Sequence, residues 1–159
     1  MKKINMLMVV LMFITTSLFA QTSNQLKSFD ELMAALKAGK QVRMVVYYGK
    51  CKQISDNEEK EKAPDAVGGL TLDVFEYFAP NAVKNKQAFV VASASKLIEN
   101  PKGEGFVYNY VKIKVTEDNK VKITAKYVDV KTYNENMDEN FFGDINDGKN
   151  DKQVYFYTL

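Results

Sequence analysis

Two arms of alternating residues flank Glu117-Asp118-Asn119, and they constrain the fold more than any other feature of the chain. Val107, Val111, Ile113 and Val115 recur along one arm, with Asn109 as the polar exception; Val121, Ile123, Ala125 and Tyr127 recur along the other. Side chains alternate across a strand, so each arm offers one apolar face and the pair reads as a β-hairpin. For the two apolar sets to share a face, Val115 must oppose Val121 and Ile113 must oppose Ile123. Glu117, Asp118 and Asn119 then form the loop, which closes on a left-handed residue, a conformation Asn tolerates. A shorter loop would set Val115 against Lys122 and break the shared face.

The remaining elements are read around this hairpin. Ser28-Phe29-Asp30-Glu31 has the capping-box pattern, and Phe29, Leu32, Met33 and Leu36 fall on one helical stripe. Gly39 suits the left-handed position beyond a helix end, so a helix is expected over 29–38. A Val- and Tyr-rich run over 42–48, apolar at consecutive positions, reads as a central strand covered on both faces. Charged residues over 57–62 with Pro64 behind them read as a loop. Strands are expected over 70–78, opened by Gly68-Gly69 for a bulge or close backbone approach, and over 87–98. A short strand near Phe141-Phe142, a turn at Asn146-Asp147-Gly148 and a closing strand over 154–157 complete the chain. The expected class is α+β: an N-terminal helix packed on a curved, mainly antiparallel sheet of about six or seven strands. The alternative is a small β-barrel plugged by the helix.

The N-terminus points to export. Lys2 and Lys3 precede an uncharged, largely apolar stretch that ends at Ala20. This is the layout of a cleavable signal peptide over residues 1–20, and the stretch is short for a membrane span. Residues 21–159 are then expected to form a single domain, with 21–27 as a loose leader. The net charge of +2 resides in the leader, because residues 1–20 hold two Lys and no acidic residue. The formally neutral remainder gives no basis for nucleic-acid binding. The chain has no His and a single Cys, Cys51. That removes the usual general base and zinc ligand and forbids an intramolecular disulfide. No cofactor or metal is implied.

Candidate chemistries thin out on inspection. Ser93-Ala94-Ser95-Lys96 matches an S-x-x-K pattern, but in a strand residues three apart face opposite ways. Asp144 to Gly148 resembles a calcium loop in the wrong register, with Gly143 and Ile145 at ligand positions. Cys51, between Lys50 and Lys52, has no proton relay and reads as a sheltered thiol. An envelope hydrolase would have to use carboxylates and tyrosines such as Asp73, Glu76 or Tyr108, converging in one pocket. The more economical reading is a non-enzymatic binding or accessory protein. Its candidate binding face is the outward side of the hairpin: Tyr108, Tyr110, Lys112 and Lys114 on one arm, Lys122 and Lys126 on the other, with Tyr110 opposite Lys126. Rings beside ammonium groups suit an anionic or glycan ligand, or an envelope protein as partner.

Residues 28–51 (SFDELMAALKAGKQVRMVVYYGKC) resemble the opening of the VirK family of small exported bacterial proteins: a capped helix, a Gly-Lys turn into a strand, then a Cys. The resemblance continues through VGGLTLDVFEYF (67–78), FVYNYVKIKV (106–115) and the closing VYFYTL (154–159). These motifs are structural rather than catalytic, so no catalytic residue is carried over. The resemblance implies a periplasmic or secreted protein, of a family with no established activity, some of whose members occur alongside virulence functions. Cys51 matches the family position, but no second Cys lies towards the C-terminus to pair with it. Intact mass of protein recovered from its own envelope should show a chain that begins within two or three residues of Gln21; full-length protein retained in the cytosol would contradict export.

Overall fold

The computed structural model describes residues 23–55 and 58–159; the expected signal segment lies outside the described residues. Eleven strands and one helix follow in the order β1 (Asn24–Leu26), α1 (Phe29–Lys37), β2 (Val42–Tyr47), β3 (Lys52–Ser55), β4 (Glu58–Glu59), β5 (Val67–Thr71), β6 (Phe75–Phe78), β7 (Phe89–Glu99), β8 (Phe106–Thr116), β9 (Lys120–Asp129), β10 (Glu135–Asp144) and β11 (Val154–Thr158). They form two sheets, one of four strands ordered β1-β11-β2-β5 and one of seven ordered β4-β3-β10-β9-β8-β7-β6. Their strand pairings are antiparallel.

This corrects the expected α+β class. The protein is mostly β, with two sheets where one curved sheet was expected, and α1 is a single short element of nine residues. Its apolar residues lie within a core that both sheets share, instead of covering the face of one sheet. A closed barrel is not formed either, because the ladders end at β4 and β6 in one sheet and at β1 and β5 in the other. The core joins Leu32, Met33 and Leu36 of α1 to Met44, Val46 and Phe156 of the small sheet and to Val90, Ile113, Val121 and Phe141 of the large one.

The strongest local signals produce the elements they specify. The Ser28 hydroxyl accepts the Glu31 N–H at 3.2 Å, while the Glu31 carboxylate reaches back to the Lys27 N–H at 2.7 Å. At the other end Gly39 takes φ +70°, and the Lys40 and Gly39 N–H groups return to the carbonyls of Ala35 and Leu36. The hairpin register is Ile113 opposite Ile123 and Val115 opposite Val121, with Asn119 at φ +65° closing the loop.

Elsewhere the chain departs from the expected pattern. The 42–48 run is not covered on both faces: Val42, Met44 and Val46 are buried while Arg43 and Tyr47 are exposed. The expected 70–78 strand is two strands in different sheets, parted at Leu72-Asp73-Val74, so the segment is a crossover. The supposed leader carries β1, paired with β11, and the charged segment over 57–62 carries β4, paired with β3. The strand near Phe141 runs the full length of β10. On the outer edge of the large sheet, β6 covers only Phe89–Ala92 of β7, so residues 93–99 form a free edge.

Asn119 ties three elements together. It closes the hairpin, its side-chain oxygen accepts the Phe29 N–H of the first turn of α1 at 2.7 Å, and its carbonyl accepts the Ile145 N–H at 2.9 Å. Helix termini leave N–H groups without partners, so this bond caps α1 from a distant loop. Urea denaturation should find Asn119→Ala destabilised by about 2 kcal/mol, from the lost cap and left-handed strain, and Asn119→Gly by about 1 kcal/mol, from the lost cap alone.

The Asn146–Gly148 turn is also built from side chains. The Asp147 carboxylate accepts the Lys149 and Asn150 N–H groups, and Lys152 lies 3.3 Å away. These contacts, the Lys149 N–H foremost, lower its pKa from 3.8 to about 2. A carboxyl with a depressed folded-state pKa stabilises the fold above its unfolded value and loses that contribution as pH falls through the folded one. The stability difference between wild type and Asp147→Asn should therefore be full above about pH 4 and shrink as pH falls towards about 2. A difference that stays constant across this range would exclude the linkage.

Candidate functional site

The large sheet has two chemically distinct faces, because alternate residues of each strand point opposite ways. On the outer face the predicted residues do share a side. Tyr110 opposes Lys126, Lys112 opposes Thr124 and Lys114 opposes Lys122, while Tyr108 lies between Leu97 and Val128. Tyr110, Lys112, Lys122 and Lys126 line one shallow depression of about 630 Å3, together with Thr124 and Asn140, which share a hydrogen bond of 2.9 Å. Tyr108 belongs to an adjoining apolar dip with Ser95, Val128 and Tyr133. Lys114 turns away, its ammonium 4.0 Å from the centre of the Phe89 ring.

The charges on this face are not equivalent. Lys126 lies 2.7 Å from Glu135 and 3.3 Å from Asp138, which hold its pKa above the usual lysine value, the Glu135 hydrogen bond foremost. The next strand thus supplies the counter-charges for Lys126. Lys122 lies 5.5 Å from the centre of the Phe142 ring. Among the described residues, Lys112 and Lys122 carry no ion pair. Lys114 is likewise without an ion pair but does not line the depression, so the free cationic character of the depression is Lys112 and Lys122.

The groups considered for hydrolysis are dispersed. Asp73 lies in the crossover between β5 and β6, Glu76 opposes Val91 on β6, and Tyr108 stands on β8. Ser93 and Lys96 fall on opposite faces of β7, across from Lys112 and Asn109. Cys51 is buried at 8% exposure, its Sγ 3.6 Å from the Tyr47 carbonyl, and burial raises its pKa to about 11. Lys50 and Lys52 pair with Asp151 and Glu59 instead of stabilising a thiolate. At neutral pH Cys51 is a protonated, sheltered thiol.

The inner face holds a second site that sequence reasoning missed. A cleft of about 560 Å3 opens between the sheets, floored by Val111, Ala125, Met137 and Phe141. Polar groups gather above this floor. Asn109 opposes Tyr127, Glu139 lies between Ala125 and Ser55, and the Gln53 amide donates to the Glu139 carboxylate at 2.7 Å. The ring of Tyr48, from the turn after β2, lies 4.5 Å from that of Phe141. Gly68 makes room for it: a Cβ there would come within 2.6 Å of the Tyr48 ring. Burial, with Cys51 and Tyr127 close by, raises the pKa of the Tyr48 phenol. The sequence signals were Asn109, a polar residue in an otherwise apolar alternation, and Gly68-Gly69, a pair that permits close approach.

A model of the VirK protein family matches residues 25–133, from β1 into the turn after β9. The chain belongs to the VirK family. The fold agrees, since a crystal structure of a VirK family protein from Legionella pneumophila matches with a TM-score of 0.61. That match has 16% identity and covers 83% of this chain and 97% of the other. No curated protein matches the sequence. In this VirK chain the Lys112 side of the outer face lies within the family-matched stretch, whereas Glu139 of the inner cleft lies beyond it. Among the described residues no helix is long and apolar enough to cross a membrane, and no cluster of three or more His, Cys, Asp or Glu is placed to hold a metal.

Proposed function

We propose that this VirK family member is an exported, non-enzymatic binding or accessory protein, periplasmic or secreted, that holds an anionic ligand on the outer face of its large sheet. The observation that carries this reading is the depression in which Lys112 and Lys122, free of ion pairs among the described residues, stand around Thr124 beside the Tyr110 ring. Two unneutralised ammonium groups attract negative charge, the Thr124 and Asn140 side chains offer hydrogen bonds, and the ring gives a flat apolar contact. An acidic glycan uses all three features, since sugar rings stack on tyrosine while acidic groups meet lysine. Lys126 offsets part of the negative charge that Glu135 and Asp138 bring to the same depression, and Lys112 and Lys122 leave its balance positive. An accessory role of this kind fits the virulence settings in which some relatives occur.

The test is retention of the purified domain on an immobilised polysulfated glycan. Wild type should elute earlier as salt rises, because exposed charge pairs are screened. Lys112→Glu combined with Lys122→Glu should abolish retention while changing stability by no more than about 0.5 kcal/mol, as expected for exposed sites. Unchanged retention of the double variant would remove the proposal.

A further inference from the structure

The inner cleft is a separate site on the opposite side of the same sheet, and its chemistry is the reverse of the outer face. We propose that it binds a small organic ammonium compound with an apolar body, the cation held by the Glu139 carboxylate and the rings around it.

Glu139 is the charged group of the cleft's inner wall. Its position on β10 faces inward, level with Ala125 and next but one to Phe141, where the rest of the strand pattern would place an apolar residue. Among the described residues no cation pairs with it; its recorded partner is the neutral Gln53 amide at 2.7 Å. A carboxylate beside an apolar floor is costly unless it is hydrogen-bonded and given a counter-charge. One hydrogen bond is present, and the counter-charge is what a ligand would bring.

The neighbouring rings favour the same kind of ligand. Tyr48 and Phe141 are 4.5 Å apart and inclined at 51°, so together they make an angled aromatic wall. Tyr127 lines the cleft beside them. Aromatic faces attract cations through their quadrupole, and cages of rings with a carboxylate suit alkylated ammonium groups. The wall is preorganised, because the Tyr48 ring occupies the space a side chain at position 68 would need. The cleft volume of about 560 Å3 falls in the range of small-molecule sites. Val111, Ala125 and Met137 receive the apolar body. The cation lining this cleft is Lys102, an exposed residue in the turn between β7 and β8, so an anion finds no buried counter-charge here.

Benzyltrimethylammonium is the probe, and benzyl alcohol, with the same ring and no charge, is the control. Both are titrated into the 15N-labelled domain and followed by backbone amide shifts. The ammonium compound should bind in the low-millimolar range or tighter, with shifts centred on Tyr48, Val111, Tyr127 and Glu139, and at least about tenfold more tightly than the alcohol. Glu139→Gln keeps the side-chain shape and removes the charge, and it should weaken binding by about tenfold. Val111→Phe leaves Glu139 untouched and fills the floor, so it should weaken binding as well. The melting temperature of each variant establishes that it folds. Equal affinity for the two compounds, indifference to both substitutions, shifts confined to the outer face, or no shifts at millimolar probe would each overturn the proposal. Lys112→Glu with Lys122→Glu should leave probe binding intact, which separates this result from the outcome on the outer face.

Discussion

The register of one hairpin organises this protein. Once Ile113 faces Ile123 and Val115 faces Val121, every residue of β8 and β9 is assigned to a side, and the ladders to β7 and β10 inherit the assignment. The inner side becomes the shared core at one end and an aromatic, acidic cleft at the other. The outer side becomes a lysine- and tyrosine-bearing surface. A slip of one residue would exchange the two, placing lysines in the core and valines in water. The Asn119 loop locks the register by making the turn, the helix cap and the link to the strand before Ile145 depend on one residue, the cap through its side chain and the link through its backbone carbonyl.

What could be read from sequence was local and periodic. The Ser28 cap, the Gly39 stop and the hairpin each rest on interactions among residues close in the chain, so their signals are concentrated. The two-sheet architecture was not legible, because it depends on where the chain changes sheets. Leu70 to Phe78 reads as one strand by composition, yet the Leu72 N–H bonds to Val42 in the small sheet while Phe75 pairs with Ala92 in the large one. β1 is short and polar, and it is a strand only because β11 lies beside it.

β10 was obscured for a different reason. Its Glu135-Asn136-Met137-Asp138-Glu139-Asn140 run carries polar residues on both faces, since the outer ones pair with Lys126 and the inner Glu139 lines the cleft. Periodicity fails where side chains are chosen for charge instead of burial. Of the outer-face residues, the strand positions were legible, but the ion pairing of Lys126 was not, because Glu135 and Asp138 sit on the first half of β10, before the Phe141-Phe142 signal. Asn109 did mark the polar end of the inner face, though it could not by itself say which residues would join it.

The free edge of β7 bears on how this molecule behaves in company. Beyond Ala92 the backbone groups of β7 that face away from β8 have no neighbouring strand, the arrangement that invites a strand from another molecule and, repeated, a fibre. Lys96 sits midway along that edge and on the inner face, across from Asn109. An incoming strand would have to shut that ammonium in beside its own side chains, and a second copy docking about the same point would bring another Lys96 against it. A single inward-facing charge thus works against strand addition along a long, half-open sheet edge that no further strand or helix covers among the described residues.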